Sequence, residues 1–216
     1  MFIELVDDLR CPRAHEETWL VAAAERTEGR DIIEGTLGCP ICRAEYPIRA
    51  GVVWFAPAAR AEAPATAAPA HHDDPELAMR LAALLDLSDA QGFALLAGTW
   101  ASCAQPLRDL VPTHLVVLNP RPLGDVSVGI SVLEIPGSIP LADATCRGVA
   151  LDEAHADAAH LAAAVRVLRP GGRLVAPAST PTPSGVAELA RDERVWVAER
   201  EARPPKLVAL RPRGMS

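Results

Sequence analysis

Short apolar runs separated by polar segments dominate the pattern of the chain beyond residue 90. Phe93–Ala97, His114–Leu118 and 130–135 each read as a buried strand of five or six residues. The same pattern predicts further strands at 51–55, 148–151, 173–176, 194–199 and 206–210, and helices at 101–110, 153–168 and 185–192. Strands that alternate with helices predict an α/β fold with a parallel sheet covered on both faces.

One helix start is marked by local chemistry. Asp74 is a good N-terminal cap, Pro75 fits the first turn, and Glu76 suits the positive end of a helix. Leucines follow on one helical face at positions 77, 81, 84 and 85. The pattern therefore predicts an amphipathic helix that begins at residue 75.

An alanine- and proline-rich stretch divides the chain. Residues 58–74 have prolines at 64 and 69 and no face that could be buried. Such a composition is typical of a linker. We therefore predict a small domain at 1–57, a linker at 58–74 and a larger domain at 75–216.

The small domain contains two pairs of metal-ligand residues. Cys39 and Cys42 are separated by two residues, and Cys11 and His15 by three. Two tight turns that each supply two soft or borderline ligands match the tetrahedral preference of zinc. A closed set of four protein ligands would make the zinc structural. The alternative is that Cys11 is a buried apolar residue and His15 a surface residue.

The surroundings of these ligands carry a family resemblance. The segments LRCP, IIEGTLGCPIC and EYPIRAGV, within residues 3–55, resemble the small zinc-binding activator subunit of tRNA and protein methyltransferases. The resemblance implies a zinc ribbon. One departure is that the first ligand pair is Cys11 and His15 rather than two cysteines.

The larger domain resembles another family. RVLRPGGRLV at 166–175 and IPLADA at 139–144 are similar to segments of class I S-adenosylmethionine-dependent methyltransferases. The resemblance implies a Rossmann-like parallel sheet and S-adenosylmethionine as the cofactor. It also implies that the paired glycines 171 and 172 form a tight turn from a helix into a strand.

The positions that would hold this cofactor depart from the family pattern. A glycine-rich loop should follow the first strand, but here Gly98 is followed closely by the bulky Trp100. The carboxylate expected after the second strand is replaced by Asn119, and Glu134 lies out of register after the third. Each lost charge-assisted hydrogen bond costs about 1.5–3 kcal/mol. We therefore predict a catalytically degenerate domain, with Gly98 and Asn119 as the remaining candidate cofactor-binding residues.

The alternative is an active methyltransferase with an atypical cofactor loop and an unknown substrate. Its catalytic residues cannot be assigned from the sequence. His155 and His160 could act as acid–base groups at the ends of the strands, but surface positions are the more ordinary interpretation. The helicase-like letters Asp-Glu-Ala-His at 152–155 come without a phosphate-binding loop, so we interpret them as a helix start.

Composition narrows the range of functions. The 216-residue chain has a formal net charge of −7, which argues against a general nucleic-acid binder. No uninterrupted apolar run is long enough to span a membrane, and the acidic N-terminus is unlike a signal peptide. The five cysteines fit thiol and metal chemistry better than a disulfide framework. We expect a cytoplasmic, zinc-containing protein that acts through a protein partner.

Overall fold

The computed structural model describes residues 1–55, 74–89, 91–120 and 127–202. The strands are β1 (Val21–Glu28), β2 (Asp31–Gly38), β3 (Glu45–Arg49), β4 (Val52–Trp54), β5 (Phe93–Ala97), β6 (His114–Leu118), β7 (Ile130–Glu134), β8 (Cys146–Ala150), β9 (Leu168–Pro177), β10 (Val186–Arg191) and β11 (Val195–Arg200). The α-helices are α1 (Pro75–Leu85), α2 (Ala104–Leu110) and α3 (Ala158–Val167), and 3₁₀ helices occupy Ile3–Asp8, Gly98–Cys103 and Glu153–His155. The strand predicted at 206–210 and nearly all of the predicted linker lie outside the described residues.

All of these strands belong to one sheet, in the order β1-β2-β3-β4-β7-β6-β5-β8-β9-β11-β10. The central strands β4, β7, β6, β5, β8 and β9 are parallel to one another. From β5 the chain adds β6 and β7 on one side and then returns to place β8 and β9 on the other. This reversal between β5 and β8 is the topological switch point of a Rossmann-like α/β sheet. The predicted fold class is confirmed.

The cysteine-containing N-terminal segment is built into the same sheet. Strands β1 to β4 form an antiparallel meander, and β4 then pairs in parallel with β7 through Val52 opposite Val132. Buried side chains from both parts, among them Leu37, Ile48, Leu118 and Leu133, belong to one hydrophobic cluster. The N-terminal segment therefore packs on its own chain, a question that the sequence left open.

Helices α1 and α2 cover one face of the sheet. Leu81 and Leu85 of α1 and Leu107 of α2 are fully buried in the second hydrophobic cluster. The predicted cap is present, because the Asp74 carboxylate accepts hydrogen bonds from the backbone N–H groups of Glu76 and Leu77. The cap and the apolar face together explain why this segment is helical.

Two predicted helices differ from the structure. The helix predicted at 185–192 is wrong, because Val186–Arg191 is the edge strand β10, paired with β11. Its alanine, glutamate and leucine residues favour a helix, but strand pairing overrides that local preference. The helix predicted at 153–168 starts late. Asp157 accepts a hydrogen bond from the His160 N–H and caps α3 at Ala158.

The paired glycines 171 and 172 do not form the turn from helix to strand that the family resemblance implies. Helix α3 ends at Val167, and Leu168 already pairs with Cys146 at the start of β9. Pairing then shifts register and resumes with Gly148 opposite Arg173. The glycines therefore lie in an irregularity within β9, where Gly171 has φ 76°. They do not form a turn between helix and strand.

Candidate metal centre and strand-end crevice

The first pair of candidate ligands lies in a loop closed by backbone contacts. The Cys11 N–H donates to the Thr18 carbonyl over 3.0 Å, and Arg10 forms an isolated bridge with Trp19. The loop between these contacts holds Cys11 and His15 on the same side of the N-terminal segment.

The second pair lies in the tight turn between β2 and β3. The Cys39 N–H donates to the Ala44 carbonyl, and the Arg43 N–H donates to the Cys39 carbonyl. Arg43 takes the left-handed conformation, with φ 56°. The turn also directs the Cys42 N–H toward the Cys39 sulfur at 3.4 Å. Its geometry presents both sulfurs to one point.

The four predicted ligands converge. Their ligand atoms all lie within 4.8 Å of one another. The Cys11 and Cys42 sulfurs are 3.7 Å apart, and His15 Nε2 lies 3.1 Å from the Cys11 sulfur and 3.5 Å from the Cys39 sulfur. Tetrahedral zinc with Zn–S of about 2.3 Å and Zn–N of about 2.0 Å has ligand–ligand edges of roughly 3.5–3.8 Å. The donor set therefore fits zinc in number and chemistry, and its atoms lie close enough together to hold one ion.

Two neighbouring contacts orient this donor set. His15 Nδ1 donates to the Glu16 carbonyl over 2.6 Å, which leaves Nε2 free to act as a ligand. A ring N–H fixed by a carbonyl is the usual support for a histidine that binds a metal. The Tyr46 hydroxyl lies 3.3 Å from the Cys11 sulfur, and its ring packs against Phe55. Tyr46 belongs to the EYPIRAGV segment, whose resemblance assigns it no role at the centre.

Local interactions favour the thiolate form of Cys39. Burial would raise the pKa of the Cys39 thiol, but hydrogen bonds from the Cys42 and Ile41 backbone and from neighbouring thiols lower it to about 6. The hydrogen bond to Glu16 raises the pKa of His15. Burial and the contact with Cys11 raise the pKa of Tyr46, so its hydroxyl stays protonated. The centre is suited to thiolate ligands.

The remaining two cysteines are buried elsewhere. Cys103 lies at the start of α2 and Cys146 in β8, and burial raises the pKa of each thiol. Both are free thiols in apolar surroundings. Both therefore lie in the core as small buried apolar groups.

The second region of interest is the crevice at the switch point, where Gly98 follows β5 and Asp152 follows β8. The Asp152 carboxylate accepts a hydrogen bond from the Thr99 N–H over 2.8 Å, which joins the two loops. A Cβ atom added to Gly98 would lie 2.0 Å from an Asp152 oxygen, so the carboxylate packs directly on the glycine. Asp152 is only 6% exposed. The Gly98 position is therefore covered by a side chain of the same protein.

Asn119, the other predicted cofactor residue, is also engaged within the chain. Its amide oxygen accepts from the Ile135 N–H over 2.8 Å, and its Nδ2 lies 3.5 Å from His155 Nε2. His155 Nδ1 in turn donates to the Asp152 carboxylate over 2.7 Å. A chain of hydrogen bonds thus runs from the end of β7 to the loop after β5.

Asp152 is the residue of this crevice that sequence reasoning missed. Burial would raise the pKa of its carboxyl, but hydrogen bonds from His155 and Thr99 outweigh that effect and lower it. The sequence pattern predicts only a helix start at Asp152. Its position directly after a buried strand was the signal that could have identified it. Trp100 completes this side of the crevice by donating from Nε1 to the Leu151 carbonyl over 3.1 Å.

No protein-family model and no curated protein matches the sequence. Solved structures give distant likenesses. The antibiotic-resistance methyltransferase Kmr is 14% identical with TM-score 0.41, over 58% of this chain and 93% of that one. Geranyl diphosphate C-methyltransferase from Streptomyces coelicolor A3(2) is 13% identical with TM-score 0.41, over 47% and 42%. The [4+2]-cyclase SpnF is 14% identical with TM-score 0.36, over 47% and 44%.

The chain spans less than half the length of most of these structures. At such low identities and TM-scores the likenesses decide nothing about activity or ligands, and the fold assignment rests on the strand order. Among the described residues, no helix is long and apolar enough to cross a membrane.

Proposed function

We propose that the protein is a zinc-binding, methyltransferase-like protein that has lost cofactor binding and acts as a scaffold or regulatory partner. Cys11, His15, Cys39 and Cys42 would hold a structural zinc ion, which would stabilise the loops that carry them. The observation that supports loss of the cofactor is the Asp152 carboxylate packed on Gly98.

The position of Asp152 in the crevice explains why its contact with Gly98 opposes cofactor binding. In open α/β sheets, ligands bind outside the carboxyl ends of the strands at the switch point. Glycine there normally lets a ligand approach the backbone closely. Here Asp152 occupies that approach, and the Asn119 amide is engaged by Ile135 and His155. A nucleoside ligand would have to break these internal hydrogen bonds before it could form its own.

The direct test is calorimetric titration of the purified full chain with S-adenosylmethionine and with S-adenosylhomocysteine. We expect no saturable binding in the micromolar range. Micromolar binding of either compound would contradict the proposal and favour the alternative, an active methyltransferase with an atypical loop. Asp152→Ser is an informative companion variant, because it removes the carboxylate that covers Gly98.

The surface around the metal centre supports a role in binding another protein. Trp19, Val21 and Ile41 are large apolar residues with 63%, 57% and 44% of their surfaces exposed. Val21 pairs with Gly38 next to Cys39, and Ile41 lies between the two ligands of the second turn. Exposed apolar groups gathered around a rigid centre are typical of protein interfaces.

Proximity crosslinking in cells tests this surface. Trp19→Lys and Ile41→Lys should reduce the amount of partner protein that is crosslinked, whereas Leu189→Lys should leave it unchanged. Leu189 is a matched control because it is 52% exposed on β10, at the opposite edge of the sheet. Equal crosslinking by all the variants would contradict a partner at the metal-centre surface.

A further inference from the structure

A cavity of about 440 Å³ lies beside the strand-end crevice. It is enclosed by α1, the 3₁₀ helix Gly98–Cys103, the carboxyl ends of β8 and β9, and the turn between β10 and β11. Its volume is within the range of small-molecule sites, about 300–1,000 Å³. Its place at the carboxyl ends of parallel strands is where ligands bind in open α/β sheets.

The walls of the cavity combine apolar and polar side chains and include an aromatic ring held in place. The apolar lining residues are Leu77, Leu81, Leu84, Leu151, Pro177 and Val195. Trp100 also lines the cavity, and its indole N–H is engaged by the Leu151 carbonyl over 3.1 Å. A ligand can therefore contact the Trp100 ring without having to satisfy its N–H.

The charges that line the cavity are unequal. Three carboxylates line it, those of Asp152, Glu153 and Glu193, against the guanidinium groups of Arg80 and Arg194. Arg80 is already paired with Asp192, which lies outside the lining, over 2.6 Å. That pair also ties α1 to the β10–β11 turn. Asp152 is likewise engaged, by His155 Nδ1 and the Thr99 N–H. Glu153 and Glu193 are thus left against Arg194 among the lining residues, and this excess of one carboxylate favours a positive charge.

We propose that this cavity binds a small organic cation with an aromatic or apolar body. The apolar walls would take the body, and the ammonium group would be held by the Trp100 ring and the carboxylates of Glu153 and Glu193. Cation–π contacts of this kind contribute most when the cation is partly withdrawn from water.

This inference goes beyond the proposed function, because it concerns a ligand other than the cofactor in a cavity that shares Thr99, Trp100 and Asp152 with the strand-end crevice. A protein that has lost cofactor binding can still respond to a small molecule through such a site. The two ideas are tested separately, since S-adenosylmethionine is not among the compounds used below.

The test uses three indoles of matched size with the full chain: tryptamine, 3-ethylindole and indole-3-propionate. They carry a positive charge, no charge and a negative charge. Titrations followed by ligand-observed NMR should show saturable binding of tryptamine, about tenfold tighter than that of 3-ethylindole, with indole-3-propionate weakest. Absence of saturable tryptamine binding, or tighter binding of indole-3-propionate, would overturn the proposal.

Variants locate the site. The double variant Glu153→Gln, Glu193→Gln changes only exposed side chains and should weaken tryptamine about fivefold while leaving 3-ethylindole within about twofold. Glu25→Gln, on exposed β1 at the far edge of the sheet, is the control and should change neither. Trp100→Leu should weaken both tryptamine and 3-ethylindole. If neither the double variant nor Trp100→Leu changes the affinity for tryptamine, tryptamine does not bind in this cavity.

Discussion

The candidate metal centre and the strand-end crevice use similar polar side chains in opposite ways. At the metal centre, four donor atoms from two loops point to a common position and leave room for an ion. At the crevice, Asp152, His155 and Asn119 are hydrogen-bonded to one another and to the backbone. Donors that converge on a shared position indicate a ligand, whereas donors that satisfy one another indicate a structural network. The predictions below test this contrast.

The largest effect is expected from loss of a metal ligand. Cys39→Ser should abolish stoichiometric zinc and lower the midpoint of thermal unfolding by at least about 10 °C, because structural zinc contributes on the order of 10 kcal/mol to small domains. Since β4 pairs with β7, unfolding of the N-terminal strands β1 to β4 also exposes an edge of the parallel sheet. Metal analysis and circular dichroism measure both effects. The control is Cys103→Ala, which should retain zinc; full zinc occupancy in Cys39→Ser would contradict the four-ligand site.

A smaller effect is expected in the crevice. Asp152→Ala leaves the Thr99 N–H and His155 Nδ1 without their acceptor, so the free energy of unfolding should fall by about 2–3 kcal/mol in urea titrations. Asp152→Asn keeps one acceptor oxygen and should lose less. If Asp152→Ala is as stable as the wild type, the hydrogen-bond network of the crevice is not structural. The contrast with the metal centre then fails.

Acid sensitivity should separate the candidate metal centre from the junction between the N-terminal segment and the parallel sheet. His114 stacks on Phe2 at 4.2 Å, and burial, the N-terminal ammonium group and Arg108 lower its pKa from 6.5 to about 4. The unfolded chain therefore binds more protons between these values, and stability falls as the pH drops from 6.5 toward 4. The expected loss is on the order of 2 kcal/mol, allowing for partial exposure.

His114→Phe keeps the stacking with Phe2 and removes the titrating group. Urea titrations at several pH values should show a shallower loss of stability for this variant between pH 6.5 and 4. At each pH, the free energy of unfolding of the variant is subtracted from that of the wild type. Protonation of the metal ligands affects both proteins equally and therefore cancels in this difference. Identical pH profiles for the two would rule out His114 as the source.

The smallest effect is expected from Tyr46→Phe. This change removes the hydroxyl beside the Cys11 sulfur but keeps the ring against Phe55. Loss of such a supporting hydrogen bond typically weakens metal affinity about 10- to 100-fold, and we expect about tenfold with little change in unfolding. A competition titration with a zinc chelator measures it. An unchanged affinity for zinc would contradict a supporting role for the Tyr46 hydroxyl. The hydrogen bond from His15 to Glu16 would then be the remaining contact that orients the four ligands.

The sequence was most informative where chemistry is local. The spacing of Cys39 and Cys42 and the Asp74 cap depend on a few consecutive residues, and both lie as expected. The alternation of apolar runs also predicted the central parallel strands, because a strand buried on both faces needs a continuous apolar run.

The rest depends on contacts between distant parts of the chain. Nothing in Val52–Trp54 specifies that it pairs with β7, so the joining of the N-terminal strands to the parallel sheet was not predictable. The strand at Val186–Arg191 is exposed and composed of helix-favouring residues, and only its pairing with β11 makes it a strand. Asp152 was missed for the same reason, because its partners come from the loops after other strands.

Native mass spectrometry of the purified full chain, with S-adenosylhomocysteine added at micromolar concentration, tests the central contrast in one experiment. The account predicts a chain that carries one zinc ion and no nucleoside. A chain that carries the nucleoside, or one that carries no zinc, would contradict it.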